Sequence, residues 1–271
     1  MSIKLLLLLS FFILNLSAKE RIISLSPSIT EIVFALEKGD KMVATSSYSL
    51  YPEEAKELPV IGGYENPHLE KILSLQPTIV VGQSHNKNLL AKLEHFKINT
   101  LELELNTLQN IKKSISTLAN AIDSNHDKKL IANINNALTK ANKNSKPHSV
   151  MIVYGLREDL RNATYIAGHN IFFEDIIHEC GNTNAYTEKS TAQPSLNYEN
   201  IIAINPEQII ILHSHATEAN VDVKKALQNW YDLPTRASKN DKISIVDENY
   251  LHIPSHRIAL TIERLCREMN D

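Results

Sequence analysis

Two kinds of apolar pattern alternate along this chain. Short, nearly unbroken apolar runs at Arg21-Ile-Ile-Ser-Leu25, Lys41 to Thr45, Thr78 to Val81 and Ile98 to Leu103 predict buried strands. The segments between them space their apolar residues as a helix does. The first helix is predicted to start at a capping box, Ser28-Ile-Thr-Glu31, and to end near Gly39. Further helices are predicted over Pro67 to Gln76, with proline in the first turn, and over Asn88 to Phe96. From Leu108 to about Asn144 the strand signal disappears, and Ile111, Ile115, Leu118, Ile122 and then Leu130, Ile134, Leu138 predict two helices broken near Asp123 to His126. Beyond Pro147 the alternation resumes, with strands at Ser149 to Tyr154, Ile209 to Leu212 and Ile243 to Val246. Helices are predicted at Asn170 to Cys180, closed by Gly181, and at Tyr198 to Ile204, Val223 to Trp230 and Arg257 to Met269. Strands alternating with helices give an α/β class with mainly parallel sheets covered on both faces.

One phrase occurs twice. Glu70-Lys-Ile-Leu-Ser-Leu-Gln-Pro77 and Glu199-Asn-Ile-Ile-Ala-Ile-Asn-Pro206 each run from a helix through a proline into an Ile/Val strand. A repeated helix-to-strand step predicts two similar lobes facing each other across a cleft. The second half of the long helical stretch, about 18 residues and so roughly 27 Å at the usual rise, suits a rigid strut between them. The expected divisions are a first lobe over residues 19–125, an interlobe helix over 126–146 and a second lobe over 147–271.

A chain of 271 residues supplies enough apolar surface for two such lobes. Its formal charge of −3, with no basic block, argues against nucleic acid or an anionic membrane surface as partner. At the N-terminus Lys4, the apolar run Leu5 to Leu16 and the small pair Ser17-Ala18 read as a secretory signal peptide over residues 1–18, with the mature chain starting at Lys19. No cysteine lies near that cleavage point, so no lipid anchor is expected and the protein should be free in the exported compartment. The two cysteines of the chain, Cys180 and Cys266, form an even count after a secretory signal, which favours a disulfide over two buried thiols.

In open α/β sheets ligands bind beyond the carboxyl ends of the strands. Here those positions are polar and ring-bearing: Ser26-Pro27-Ser28, Tyr48 with Tyr51, Gln83-Ser84-His85, Gly155-Leu156-Arg157, His213-Ser214-His215, and Asn249-Tyr250 followed by His252. Such side chains suit a flat, partly apolar molecule with polar edges, large and planar or macrocyclic. Ser28, Tyr48, Tyr51, Tyr64, His85, Arg157, His213, His215 and Trp230 are the candidate ligand-binding residues. Loop packing of the tyrosines, a plain surface role for Arg157 and core packing of Trp230 stand as the alternatives. His85, His213 and His215 together would give three imidazoles able to ligate a metal, although no carboxylate or thiol stands at ligand spacing beside them. No resident metal or cofactor is expected. Neither Gly-x-Ser-x-Gly, His-Glu-x-x-His, a Walker loop nor Gly-x-Gly-x-x-Gly occurs, so a non-enzyme is predicted, with a metal-dependent hydrolase built on the His-x-His pair as the remote alternative.

Arg21-Ile-Ile-Ser-Leu-Ser-Pro-Ser-Ile-Thr-Glu31, Tyr51-Pro-Glu-Glu-Ala55, Leu58-Pro-Val-Ile-Gly-Gly63, Asn66-Pro-His-Leu-Glu70 and the repeated Glu-to-Pro phrases occur in this order. Together they resemble the periplasmic substrate-binding proteins of cobalamin, haem and ferric-siderophore ABC importers, nearest to the cobalamin-binding branch. That resemblance implies two α/β lobes joined by one long helix, with little closure between them. It implies that one acidic residue on each lobe, Glu70 and Glu199 here, docks with arginines of an inner-membrane permease. Each also lies in the first turn of its helix, where a carboxylate gains from the helix dipole. The resemblance further places Tyr48 or Tyr51, and Tyr64 where tryptophan is usual, against a corrin, and joins the cysteine of Cys180-Gly181 to Cys266. The implied protein is a monomeric periplasmic receptor for a metal chelate, a corrinoid first. Haem, a ferric siderophore or a nickel chelate, with His85, His213 or His215 completing the coordination sphere, are the alternatives.

Overall fold

The first strand, β1 (Ile22–Ser24), is buried at every residue, as an unbroken apolar run in a parallel sheet covered on both faces must be. The chain is described by a computed structural model over residues 20–141, 146–161, 163–189, 193–213 and 221–270. The expected signal peptide and His215 lie outside these described residues. Three further strands, β2 (Met42–Ala44), β3 (Ile79–Gln83) and β4 (Asn99–Leu103), complete an all-parallel sheet in the order β2-β1-β3-β4. Between them run helices α1 (Pro27–Ala35), α2 (Leu69–Ser74) and α3 (Lys87–His95).

The second sheet contains β5 (Ser149–Tyr154), β6 (Thr164–Ile166), β7 (Thr183–Asn184), β8 (Ser195–Leu196), β9 (Gln208–Leu212) and β10 (Ile243–Val246). Its order is β10-β9-β5-β6-β8, with β7 also on β5. The β10, β9 and β5 ladder is parallel, whereas at the far edge β6 pairs antiparallel with β5 and β8 antiparallel with β6. Sequence periodicity does not announce β6, β7 or β8, because strands of two or three residues carry too few positions to show a period.

The duplicated phrase is a duplicated topology. α2 leads into β3, which lies between the first strand of its sheet, β1, and the following strand, β4. Helix α7 (Tyr198–Ile204) leads into β9, which lies between β5 and the following strand, β10. The molecule is therefore an α/β protein of two lobes, as the repeat predicts.

The helical stretch between the lobes forms α4 (Leu108–Ala121) and α5 (Asp127–Lys140). Thr107 caps the first of them, its hydroxyl accepting Asn110 N at 3.1 Å. The second has 14 residues and so is about 21 Å long, shorter than expected. It packs against both α4 and the terminal helix α10 (Ile258–Asn270). Leu130, Ile134 and Ala137 of α5 join one apolar core with Ile111 and Ile115 of α4 and Ile262 and Leu265 of α10. That core contains Ile22 and Val81 of the first sheet together with Ile152 and Ile210 of the second. Shared burial, rather than a free linker, couples the lobes. The remaining helices are α6 (Phe172–Glu179), α8 (Val223–Tyr231) and α9 (Arg236–Lys239).

One local expectation changes. The capping box at Ser28 and Glu31 does not form; the cap of α1 is Ser26, whose hydroxyl accepts Ile29 N at 3.3 Å, with Pro27 as the first helical residue. Proline presets the helical φ at that position, and the Glu31 carboxylate is held by Arg257 instead. Cys180, at the C-cap of α6, is bonded to Cys266 of α10 with Cα atoms 5.1 Å apart. Closing a loop between residues 86 apart in sequence restricts the unfolded chain by about 4.6 kcal/mol in the chain-entropy treatment. Among the described residues no helix is long and apolar enough to cross a membrane.

Candidate functional site

The residues that follow β1, β2, β3, β4 and β10 converge on a cavity of about 540 Å³, the position that strand-end geometry favours for a ligand. Its first-lobe wall carries Ser28, Ser47, Tyr48, Tyr64, Gln83 and Ser84, continued by Leu103 to Asn106. Ile171, Phe172, Gln193 and His252 to Pro254 form the facing wall from the second lobe.

A buried hydroxyl cluster sets the first wall. Thr30 Oγ1 meets Thr45 Oγ1 at 2.5 Å and donates to Ser49 Oγ at 3.3 Å, while Ser46 and Ser49 hydroxyls lie 3.2 Å apart. These bonds fix the loop after β2 against α1, and at its tip Tyr48 takes a left-handed backbone, φ 64°, with its side chain exposed. Non-glycine residues adopt that region only when their surroundings hold them there. Ser47 reaches across to the next turn, its N and Oγ both donating to Gly62 O at 2.9 and 3.1 Å. Gly62 is required there: φ is +122°, and a Cβ would come within 2.6 Å of Asn66 O. The turn presents Tyr64, whose phenol is pushed up to about 12 by burial, with a further push from the Glu65 charge. The ring of His85 lies against that of Tyr64.

The second wall rests on α6. Phe172 opens the helix and borders the cavity, and Phe173 behind it is fully buried, with ring centroids 4.2 Å apart. Tyr154, at the end of β5, meets Phe173 edge-on at 5.6 Å and His252 at 5.8 Å. Burial raises the Tyr154 phenol far above its ordinary range. Glu174 accepts Asn170 N at 2.9 Å and also binds His169 Nδ1, which holds the turn before Phe172.

Ionisable groups are sparse in this cavity. Among the described lining residues, tyrosines aside, Glu104 and His252 are the titratable side chains and none is a lysine or arginine. Hydroxyl and amide groups of Ser28, Ser47, Gln83, Ser84, Asn106 and Gln193 supply neutral donors and acceptors between aromatic faces.

Of the candidate residues, Ser28, Tyr48 and Tyr64 line the cavity. His85 contacts the Tyr64 ring and is not in the lining. Tyr51 stands under the Arg257 guanidinium, 3.9 Å from its ring centroid, and is not in the lining. Arg157 is exposed, 6.0 Å from the Tyr165 ring and away from the cavity. His213 is buried, its N donating to Val246 O at 2.9 Å, because the strand rule points at a residue still held within the β9 and β10 pairing. Trp230 is wholly buried among Leu160, Ile201, Ile209 and Ile211, where the apolar face of α8 meets the sheet, so core packing is its role. The described residues therefore do not bring three imidazoles together, and among them no group of three or more His, Cys, Asp or Glu side chains could hold a metal ion. Missing from the candidates were Phe172, Gln193 and Asn106, and His252 was noted after the last strand without being made a candidate. Asn106 also follows a strand, and the rule that reached His252 would have reached it; Phe172 carries no signal beyond a Phe-Phe pair at a helix start.

Glu70 and Glu199 are each the second residue of a short helix, and both are exposed. Glu199 is not the cap of its helix: Asn197 Oδ1 accepts Asn200 N at 2.9 Å, and Glu199 Oε1 accepts a bond from Tyr198 Oη at 3.4 Å.

A family model described as periplasmic binding protein matches residues 22–250. A vitamin B12-binding protein of Vibrio parahaemolyticus is 29% identical over 252 residues, covering 91% of this chain and 88% of its own length. Among solved structures, the periplasmic vitamin B12-binding protein BtuF of Vibrio cholerae superposes with a TM-score of 0.73 and 25% identity, covering 92% of this chain and 96% of the other. The periplasmic haem-binding protein RhuT from Roseiflexus sp. RS-1, in its apo form, gives 0.77 and 26%, covering 93% and 98%. These relatives are binding proteins and not enzymes.

Proposed function

This chain belongs to the periplasmic binding protein family, and from that premise we propose that it captures cobalamin or a close corrinoid between its lobes and passes it to an inner-membrane ABC permease. The single observation that carries the choice of ligand is the charge of the cavity. Haem brings two propionates, and many ferric siderophores are anionic; either would be buried against a wall with no described lysine or arginine and with the Glu104 carboxylate present. Burying an anion without a partner is costly. A corrinoid instead has a flat macrocycle ringed by neutral amides, which suits the aromatic faces of Tyr48, Tyr64 and Phe172 and the hydroxyl and amide groups between them. The names of the two vitamin B12-binding relatives point the same way, while that of RhuT points to haem.

Haem is the second reading, and one observation favours it: His252 offers an imidazole from the second-lobe wall. Titration of the purified protein with cyanocobalamin and with hemin separates the two. Saturable binding of cyanocobalamin is expected, with stabilisation of about 2.7 kcal/mol when the free ligand is 100-fold above Kd. Binding of hemin alone, with a Soret shift lost in His252→Ala, would reverse the assignment. The same reading has residues 1–18 removed on export, leaving an unlipidated monomer free in the periplasm. Intact-mass measurement of the exported protein tests this, with a chain beginning at Lys19 expected.

A further inference from the structure

Among the described residues, polar contacts cross between the lobes near both flanks of the cavity. At the first, Glu31 of α1 is buried and both its oxygens are taken by groups from near the other end of the chain. Arg257 Nε donates to Oε2 at 2.9 Å, Arg257 Nη2 donates to Oε1, and Ser255 Oγ donates to Oε2. Arg257 Nη1 donates to Asn249 Oδ1 at 2.8 Å, and one face of the guanidinium lies 3.9 Å from the Tyr51 ring centroid. At the second contact, Asp175 Oδ2 of α6 accepts Leu108 N at 2.8 Å. The chain neighbours of these groups are the cavity walls. Ser28 precedes Glu31 in α1, His252 to Pro254 run directly into Ser255, Asn106 lies just before Leu108, and Phe172 opens the helix that carries Asp175.

A buried ion pair adds little net stability, because removing both charges from water offsets their attraction. What the two-pronged fork does provide is geometry, since carboxylate and guanidinium meet in this way at one distance and one orientation. Separating them while buried leaves each charge without a partner. We propose that Arg257 is a positioning residue: clamped by Glu31 and Ser255 and covered by Tyr51, it fixes the separation of the lobes and so sets the width of the cavity before any ligand arrives. Tyr51, a candidate ligand contact from its sequence position, is then part of this latch. The Asp175 contact holds the opposite flank.

The inference relies on the reading of the cavity as a ligand site only for its purpose, and its test needs no ligand. Spin labels are placed on Lys92→Cys in α3 and Lys239→Cys in α9 with the native disulfide kept, and the distance distribution between them is measured by pulsed electron resonance. The parent protein is expected to give one narrow peak. Arg257→Met and Glu31→Gln should broaden it and shift it to longer distance, and Arg257→Lys, which keeps the charge without the planar fork, should fall between. If Arg257→Met does not fold, Glu31→Gln, which preserves size and one acceptor oxygen, decides. A distribution unchanged from the parent in a folded Glu31→Gln or Arg257→Met protein would overturn the proposal and leave the pair as core filling. Failure of the parent to bind cyanocobalamin would count against the ligand assignment and leave the distance result readable.

Discussion

The imidazole of His85 and the phenol ring of Tyr64 are in contact, with centroids 4.1 Å apart and planes tilted by 49°. The tyrosine lines the cavity, and the histidine that touches it is exposed and not in the lining. An aromatic contact of this kind is worth about 1 kcal/mol beyond the area it buries. Tyr64→Ala, which removes the face itself, is therefore expected to raise Kd for a corrinoid by on the order of tenfold, and His85→Ala by severalfold at most. The absorbance of bound hydroxocobalamin should be the same in His85→Ala as in the parent. A spectral change there would show that the imidazole reaches the metal.

Charge reversal tests the docking role proposed for the duplicated phrase. Glu70→Arg and Glu199→Arg alter exposed side chains at the starts of short helices and should reduce stability by less than about 1 kcal/mol through the helix dipole. Uptake of ligand in cells is expected to be lost, with the calorimetric Kd of the purified protein unchanged. A weakened Kd would place the carboxylates in ligand binding instead.

Trp230 separates core from site. Its complete burial predicts that Trp230→Ala costs about 3–5 kcal/mol of unfolding free energy, measured by denaturant titration. Trp230→Phe, which retains most of the packing, should leave ligand affinity at the parent value.

His256, beside the latch, should make the fold acid-sensitive. Burial first and the Arg257 charge second lower its imidazole to about 4 from an ordinary 6.5, so the folded protein resists protonation that the unfolded chain accepts. The stability this represents is fully present above the unfolded value and is lost as pH falls from about 6.5 through 4. Between pH 7 and 4.5 the loss from this group is on the order of 2 kcal/mol. His256→Gln should show a shallower decline in urea midpoint over that range, and an identical decline would assign the effect to other groups.

Much of the fold was legible from local pattern. Unbroken apolar runs such as Ile79–Val81 and Ile209–Leu212 became central parallel strands, and the spacing of Ile111 to Ile122 and of Leu130 to Leu138 became α4 and α5. Part of the candidate site was legible as well, because the rule of strand carboxyl ends leads to Ser28 and Tyr48, which line the cavity. The same rule overreached at His213 and Arg157, since following a strand does not fix the direction in which a side chain leaves it. Tyr51 and Glu31 show the same limit: a rim tyrosine and an expected capping glutamate both went to Arg257.

By itself the sequence determined the alternation of strand and helix, the doubling of the lobe and the pairing of phrases around Glu70 and Glu199. The alternation is fixed by the periods of the backbone and readable within a window of some twenty residues, and the doubling by comparing two such windows. Only the tertiary structure decided that Glu31 meets Arg257 across a separation of 226 residues, that Phe172 faces Tyr48 and Tyr64, and that no described lysine or arginine reaches the cavity. Those relations depend on how two folded lobes are set against each other, and that arrangement is chosen by the burial of a shared core and the satisfaction of buried charge, which no local period records.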